Sequence, residues 1–170
     1  MENYEIPAEQ GFEKLVQYVA SRLTACAWTL ATAESCTGGW IAKVCTDLAG
    51  SSAWFDRGFV TYSDKAKQEL LGVKRSTLKN DGAVSEATVI EMADGARNRA
   101  GVFAALAVTG IAGPERGDSD KPVGLVWFAW SLEGCRTRSE MMQFQGDRDA
   151  VRRQTVMHAL SGLLNKLPDK

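Results

Sequence analysis

The order of elements written in this 170-residue sequence predicts an α/β protein, a three-layer α/β/α sandwich on a mixed, mostly parallel five-stranded sheet. Three observations carry that expectation. Helix-period and strand-period segments alternate along most of the chain. The run 102–108 is nearly continuously apolar, as in a strand covered on both faces. Two apolar strands end in loops of small residues, the place where open α/β sheets bind ligands.

Each element has its own signal. Phe12, Leu15, Val16, Val19 and Leu23 recur at helical spacing, so residues 8–25 read as an amphipathic helix. Residues 28–33 form a short β-prone run that ends in Glu34-Ser35-Cys36-Thr37-Gly38-Gly39. A helix over 40–48 follows, closed by Gly50. Residues 57–62 read as a strand, after which Ser63 or Asp64 caps a short helix ending at Gly72. Ser85-Glu86-Ala87-Thr88 opens a helix to about residue 99. The apolar strand 102–108 leads into a second loop, Thr109-Gly110-Ile111-Ala112-Gly113-Pro114. Residues 123–132 and 136–144 bracket Glu133-Gly134, a two-residue hairpin signal. Asp147 caps a last helix to about residue 167.

Nothing divides the chain, so residues 1–170 are expected to form a single domain, large enough to bury a core without disulfides. Lys plus Arg number 20 against 21 Asp plus Glu, a balance that argues against nucleic acid as a partner. The longest apolar runs are too short to span a bilayer, so no membrane partner is expected. The acidic start does not read as a secretory signal. No pair among Cys26, Cys36, Cys45 and Cys135 has C-x-x-C spacing. The expectation is a cytoplasmic protein with free thiols and no metal site. The single His, His158, excludes a multi-imidazole metal centre and leaves any imidazole triad to that residue alone. An enzyme of this composition is expected to take its base from a carboxylate, a Lys or a Tyr.

The two loops, set side by side, would make one crevice. The first opens a helix, whose amides and dipole favour an anion such as phosphate. Neither loop has Walker A or G-x-G-x-x-G spacing, so neither ATP nor NAD is indicated, and both loops also read as plain tight turns. Ser35 and Cys36 stand where nucleophiles sit on strand-to-helix turns. Ser35 or Thr37 equally suits an N-cap, and Cys36 a small buried residue. Tyr62, Lys65 and Lys67 follow the second strand; a desolvated lysine serves as a base, whereas an exposed one is a solvated helix charge. Arg148, Arg152 and Arg153 offer cations to an anion or form a solvated face.

Five ordered blocks carry a resemblance. Ala33-Glu34-Ser35-Cys36-Thr37-Gly38-Gly39, Gly58-Phe59-Val60-Thr61-Tyr62-Ser63 with Ala66-Lys67, Gly82-Ala83-Val84-Ser85-Glu86, Thr109-Gly110-Ile111-Ala112-Gly113-Pro114 with Lys121-Pro122-Val123-Gly124, and Gly146-Asp147-Arg148 with Arg152 resemble the signature of the CinA C-terminal domain family. The similarity covers roughly residues 10–165 and implies a stand-alone member without the molybdopterin-binding-like domain of full-length CinA proteins.

The resemblance also implies a chemistry. It is that of a nicotinamide-nucleotide amidase, converting nicotinamide mononucleotide and water to nicotinate mononucleotide and ammonia in pyridine-nucleotide salvage. A homodimer without metal or organic cofactor is implied too. On that pattern Ser35 attacks the carboxamide, Lys67 takes its proton and Tyr62 relays or orients. Amides around Thr37, Gly38 and Gly39, or at Gly110, hold the oxyanion. Glu34, Cys36, Thr109 and Gly113 join the substrate-binding set, with Arg148 on the phosphate. Which loop takes the phosphate stays open. Two departures stand out. Arg116 replaces a glycine of the family's GPxGG element, and Asp64 replaces the Asn of its YSN block. They keep a second reading in view, a non-catalytic nucleotide-binding or regulatory module of the same fold.

Overall fold

The computed structural model describes residues 11–115 and 120–168. Chain order is α1 (Gly11–Ala25), β1 (Leu30–Glu34), α2 (Trp40–Asp47), β2 (Phe55–Val60), α3 (Asp64–Leu71), α4 (Arg75–Asp81), α5 (Glu86–Ala100), β3 (Ala104–Gly110), β4 (Leu125–Leu132), β5 (Arg138–Gln143) and α6 (Arg148–Leu164), with a 3-10 turn, Ser51–Ala53, before β2. Positions 8–10 of the predicted first helix, and the Arg116 departure, lie outside the described residues.

The sheet runs β2-β1-β3-β4-β5. β1 pairs parallel with β2 and with β3, while β3–β4 and β4–β5 are antiparallel. Four strands therefore point one way and β4 alone is reversed, a mixed sheet of the predicted kind. Its faces carry separate cores. α1, α2 and α6 bury Leu15, Leu23, Ile41, Val151 and Leu160 on one side. α3, α4 and α5 bury Leu71, Leu78, Val89 and Met92 on the other. β3, at the centre, is buried along Ala104–Thr109, which explains its unbroken apolar sequence.

The predicted caps appear where the side chains dictate. Ser63 Oγ accepts from Ala66 N at 3.1 Å, Ser85 Oγ from Thr88 N at 3.2 Å and Asp147 Oδ1 from Ala150 N at 2.8 Å. Between Ser63 and Asp64, the cap of α3 is Ser63. Two expectations are corrected. Residues 75–81 form α4, which the sequence hides: Arg-Ser-Thr-Leu-Lys-Asn-Asp shows one apolar residue and no apolar stripe, and tertiary partners hold the turn, Lys74 N and Thr77 Oγ1 donating to Glu91. The connection after β4 spans residues 133–137 rather than Glu133-Gly134 alone, because Trp130 is already opposite Arg138.

β1 and β3 lie side by side, yet their onward connections depart to opposite sides: β1 to β2, β3 to β4. This is a topological switch point, and both small-residue loops lie at its carboxyl edge.

Candidate active site

Ser35 directly follows β1. Its amide donates to Val108 O at 3.1 Å, extending the β1–β3 ladder, and its side chain is buried. Lys67, on α3, is 1% exposed. Its Nζ lies 3.1 Å from Ser35 Oγ, 2.9 Å from Thr61 O and 3.3 Å from Tyr62 O. Burial pushes the Lys67 amine below the ordinary lysine range; the charge of Asp64 opposes that shift. The three partners match the three N–H donors of the ammonium, and in the neutral amine two N–H groups remain for the carbonyls while the lone pair faces the serine hydroxyl. Lys65, the other candidate, is exposed and pairs with Glu69 at 3.6 Å.

Glu34, which the sequence places in the substrate-binding set, is 0% exposed. Its carboxylate accepts from Thr32 Oγ1 (3.3 Å), Thr37 Oγ1 (2.7 Å), Gly39 N (3.0 Å), Ile41 N (3.0 Å) and Ala42 N (2.8 Å). The start of α2 does attract an anion, as its free amides and dipole require, but that anion is the chain's own carboxylate. Neither Ser35 nor Thr37 is the N-cap of α2. Gly39 occupies that position, at φ 96°, where a side chain would also crowd Val60.

The same bonds narrow the oxyanion donors. Gly38 N donates to Ser35 O at 3.1 Å and Gly39 N to Glu34. The amides of Cys36 and Thr37 donate to no oxygen among the described residues. The Cys36 thiol is buried and desolvation pushes it up to about 12, so it fits the small-residue reading and not that of a nucleophile.

Tyr62 joins the site differently from expectation. Its carbonyl receives Lys67, but its ring is 61% exposed and its phenol oxygen accepts from Arg148 Nη2 at 3.2 Å. Arg148 also donates to Gly113 O at 2.6 Å, next to the cis Gly113–Pro114 peptide. It therefore ties the strand-β2 exit to the second loop. Thr109 is buried and donates to Ala83 O at 2.8 Å, fixing the Gly82-Ala83-Val84 turn beside that loop. A Cβ on Gly110 would lie 2.7 Å from Leu125 O, so the loop closes on β4 only with glycine there. Arg152 donates to Cys36 O at 3.2 Å and to Thr37 O at 2.7 Å, a contact that spacing alone did not assign. The signal was available: Arg148 and Arg152 stand at i, i+4 and so share one face of α6. Among the described residues, no group of three His, Cys, Asp or Glu is arranged to hold a metal ion and no helix is long and apolar enough to cross a membrane.

Residues 12–167 match the family model described as the CinA C-terminal domain. The chain belongs to this family. Among CinA-domain relatives, the nicotinamide-nucleotide amidohydrolase PncC of Escherichia coli (strain K12) is 55% identical over 153 residues, 88% of this chain and 91% of that protein. The PncC of Enterobacter agglomerans is 51% identical over 159 residues, 94% of this chain and 97% of that protein. The crystal structure of the competence damage-inducible protein A (ComA) from Klebsiella pneumoniae superposes with a TM-score of 0.89 at 44% identity, covering 92% of this chain and 97% of that one.

Proposed function

We propose that this chain is a serine amidohydrolase that converts nicotinamide mononucleotide and water to nicotinate mononucleotide and ammonia. The observation that carries this reading is the buried Ser35–Lys67 pair at the switch point, in a chain more than half identical to proteins named nicotinamide-nucleotide amidohydrolase. The lowered amine of Lys67 supports its use as a base: it accepts the Ser35 proton as Oγ attacks the carboxamide carbon. Charge then develops on the amide oxygen, and the amides of Cys36 and Thr37, which donate to no oxygen among the described residues, are the donors at hand. Collapse breaks the C–N bond, and the proton on Lys67 passes to the departing nitrogen, releasing ammonia. Water then attacks the acyl-serine, with Lys67 again the base, to give the nicotinate carboxylate.

The Glu34 carboxylate disfavours the start of α2 as the phosphate site. Arg148, which keeps N–H groups beyond those on Gly113 O and Tyr62 Oη, suits the phosphate. The test is stoichiometric. Purified protein given nicotinamide mononucleotide should release ammonia and nicotinate mononucleotide in equal amounts, and Ser35→Ala should release neither. Binding of the nucleotide without ammonia release would favour the binding-module reading instead.

A further inference from the structure

The first loop is held from both helical layers. Lys67 reaches Ser35 from α3 on one face of the sheet. Arg152 reaches the next two residues from α6 on the other face. Its guanidinium is anchored at three points: Nε on Cys36 O, Nη2 on Thr37 O, and Cζ over the Trp40 ring at 5.2 Å from its centroid.

A trans peptide is planar, so its N–H points opposite to its C=O. Cys36 O and Thr37 N belong to one such peptide. By drawing Cys36 O toward α6, Arg152 turns Thr37 N–H away from α6, and that amide has no oxygen partner among the described residues. The second bond, to Thr37 O, adds to the backbone bonds that hold the following peptide, Trp40 N on Thr37 O at 3.3 Å and Gly38 N on Ser35 O at 3.1 Å.

We propose that Arg152 is a positioning residue for the amidase reaction: it presets the Thr37 amide, with that of Cys36, as the oxyanion donor. The inference rests on the serine-hydrolase reading of the site. Arg152 bonds Cys36 O and Thr37 O rather than Ser35 Oγ, and so acts through the loop backbone. Lysine cannot replace it, because one ammonium on a flexible stem does not reproduce the planar fork on two carbonyls and the stack on Trp40.

The experiment compares wild type, Arg152→Ala and Arg152→Lys in two assays. With nicotinamide mononucleotide, both variants should lose about 100-fold in kcat while KM changes less than about threefold, as for loss of an oxyanion donor. Free guanidinium should restore part of the Arg152→Ala rate. A fluorophosphonate, whose attack by Ser35 also places negative charge on an oxygen, should label both variants proportionally more slowly than wild type. Wild type that is labelled on Ser35 but releases no ammonia would sink the nucleotide reading and leave the labelling rates to decide this one. Wild type inert in both assays would overturn both. Unchanged kcat and labelling in folded variants would overturn the positioning role, as would a raised KM with kcat intact, which would make Arg152 a substrate contact. Should Arg152→Ala fail to fold, Arg152→Lys carries the test.

Discussion

Lys67 Nζ lies 3.1 Å from Ser35 Oγ, with Thr61 O and Tyr62 O completing the surroundings of the amine. Two residues that act as one unit give non-additive losses. Ser35→Ala and Lys67→Met should each lower kcat by about 10⁴-fold or more, and the double variant should be no slower than either single one. Ammonia release measured across the three variants, with circular dichroism to confirm the fold, checks this. Additive losses would mean that the pair does not work together.

The same pair sets the pH dependence. Burial lowers the Lys67 amine and Asp64 raises it. The active base is the neutral amine, so kcat/KM should rise with pH through an apparent pKa below the ordinary 10.5 of lysine. Asp64→Asn removes the opposing charge and should move that limb to lower pH, increasing activity on the acidic side. Asp64 is exposed, so the displacement between variant and wild type should shrink in high salt. The linkage has a matching sign. A lysine whose folded pKa is lowered binds more protons unfolded, so its contribution to stability rises with pH between the folded value and 10.5. The stability of wild type relative to Lys67→Met, from urea unfolding at neutral and alkaline pH, should increase accordingly.

Tyr62 separates two roles. The phenol contacts Arg148 at 3.2 Å, whereas the backbone carbonyl contacts Lys67. Phenylalanine preserves the carbonyl and removes only the hydroxyl. Tyr62→Phe should therefore leave kcat within about threefold while raising KM several-fold, the pattern of lost ground-state binding. Initial rates over a range of substrate concentration decide it; a kcat loss of 100-fold or more would restore the phenol as a proton relay.

The contrast between Tyr62 and Glu34 shows what the sequence made legible. Position along the chain located both residues at strand ends, because apolar runs and glycine-rich breaks mark such ends well. It did not tell which way a side chain turns there. Glu34 is the last residue of β1, and whether it faces ligand or helix is decided by where α2 lies relative to the sheet, a tertiary fact. Lys67 is separable from Lys65 by its match to the family block; its burial follows from the helical period of α3 against α5. Arg152 reads as one more helix charge until α6 is docked. α4 stayed hidden because its partner is Glu91, distant in sequence and polar.

Glu34 also yields a stability prediction. Its two oxygens accept from the amides of Gly39, Ile41 and Ala42 at the start of α2 and from the hydroxyls of Thr32 and Thr37. Glutamine is nearly isosteric but replaces one acceptor oxygen by a donor, leaving buried N–H groups facing an NH₂. Bonds to a charged acceptor contribute about 1.5–3 kcal/mol each, so Glu34→Gln should destabilise by about 3 kcal/mol or more. Urea unfolding at pH 7 gives the value. Stability unchanged within about 0.5 kcal/mol would mean that the carboxylate is not what completes the helix start.

The last prediction concerns the distance that keeps Lys67 in reach. α3 carries Lys67 and ends at Leu71, and α5 packs against that end through Gly95. A Cβ on Gly95 would lie 2.0 Å from Leu71 O and 2.9 Å from its carbonyl carbon. Both are backbone atoms, so no side-chain rotation relieves the clash and one helix must move. Gly95→Ala improves helix propensity by roughly 1 kcal/mol, yet overpacking against backbone costs about 3 kcal/mol or more, so the net change is destabilising. If α3 yields, Lys67 moves with it and the bond to Ser35 lengthens. Gly95→Ala should thus lower both the urea midpoint and kcat, while Gly101→Ala, strained at φ 66° in the cap of α5 but with nothing within 4 Å of its Cβ, should lower the midpoint and leave kcat unchanged. A folded Gly95→Ala protein with wild-type kcat would show that the Ser35–Lys67 distance is set by strand β2 and its exit alone, and not by the packing of α3 on α5.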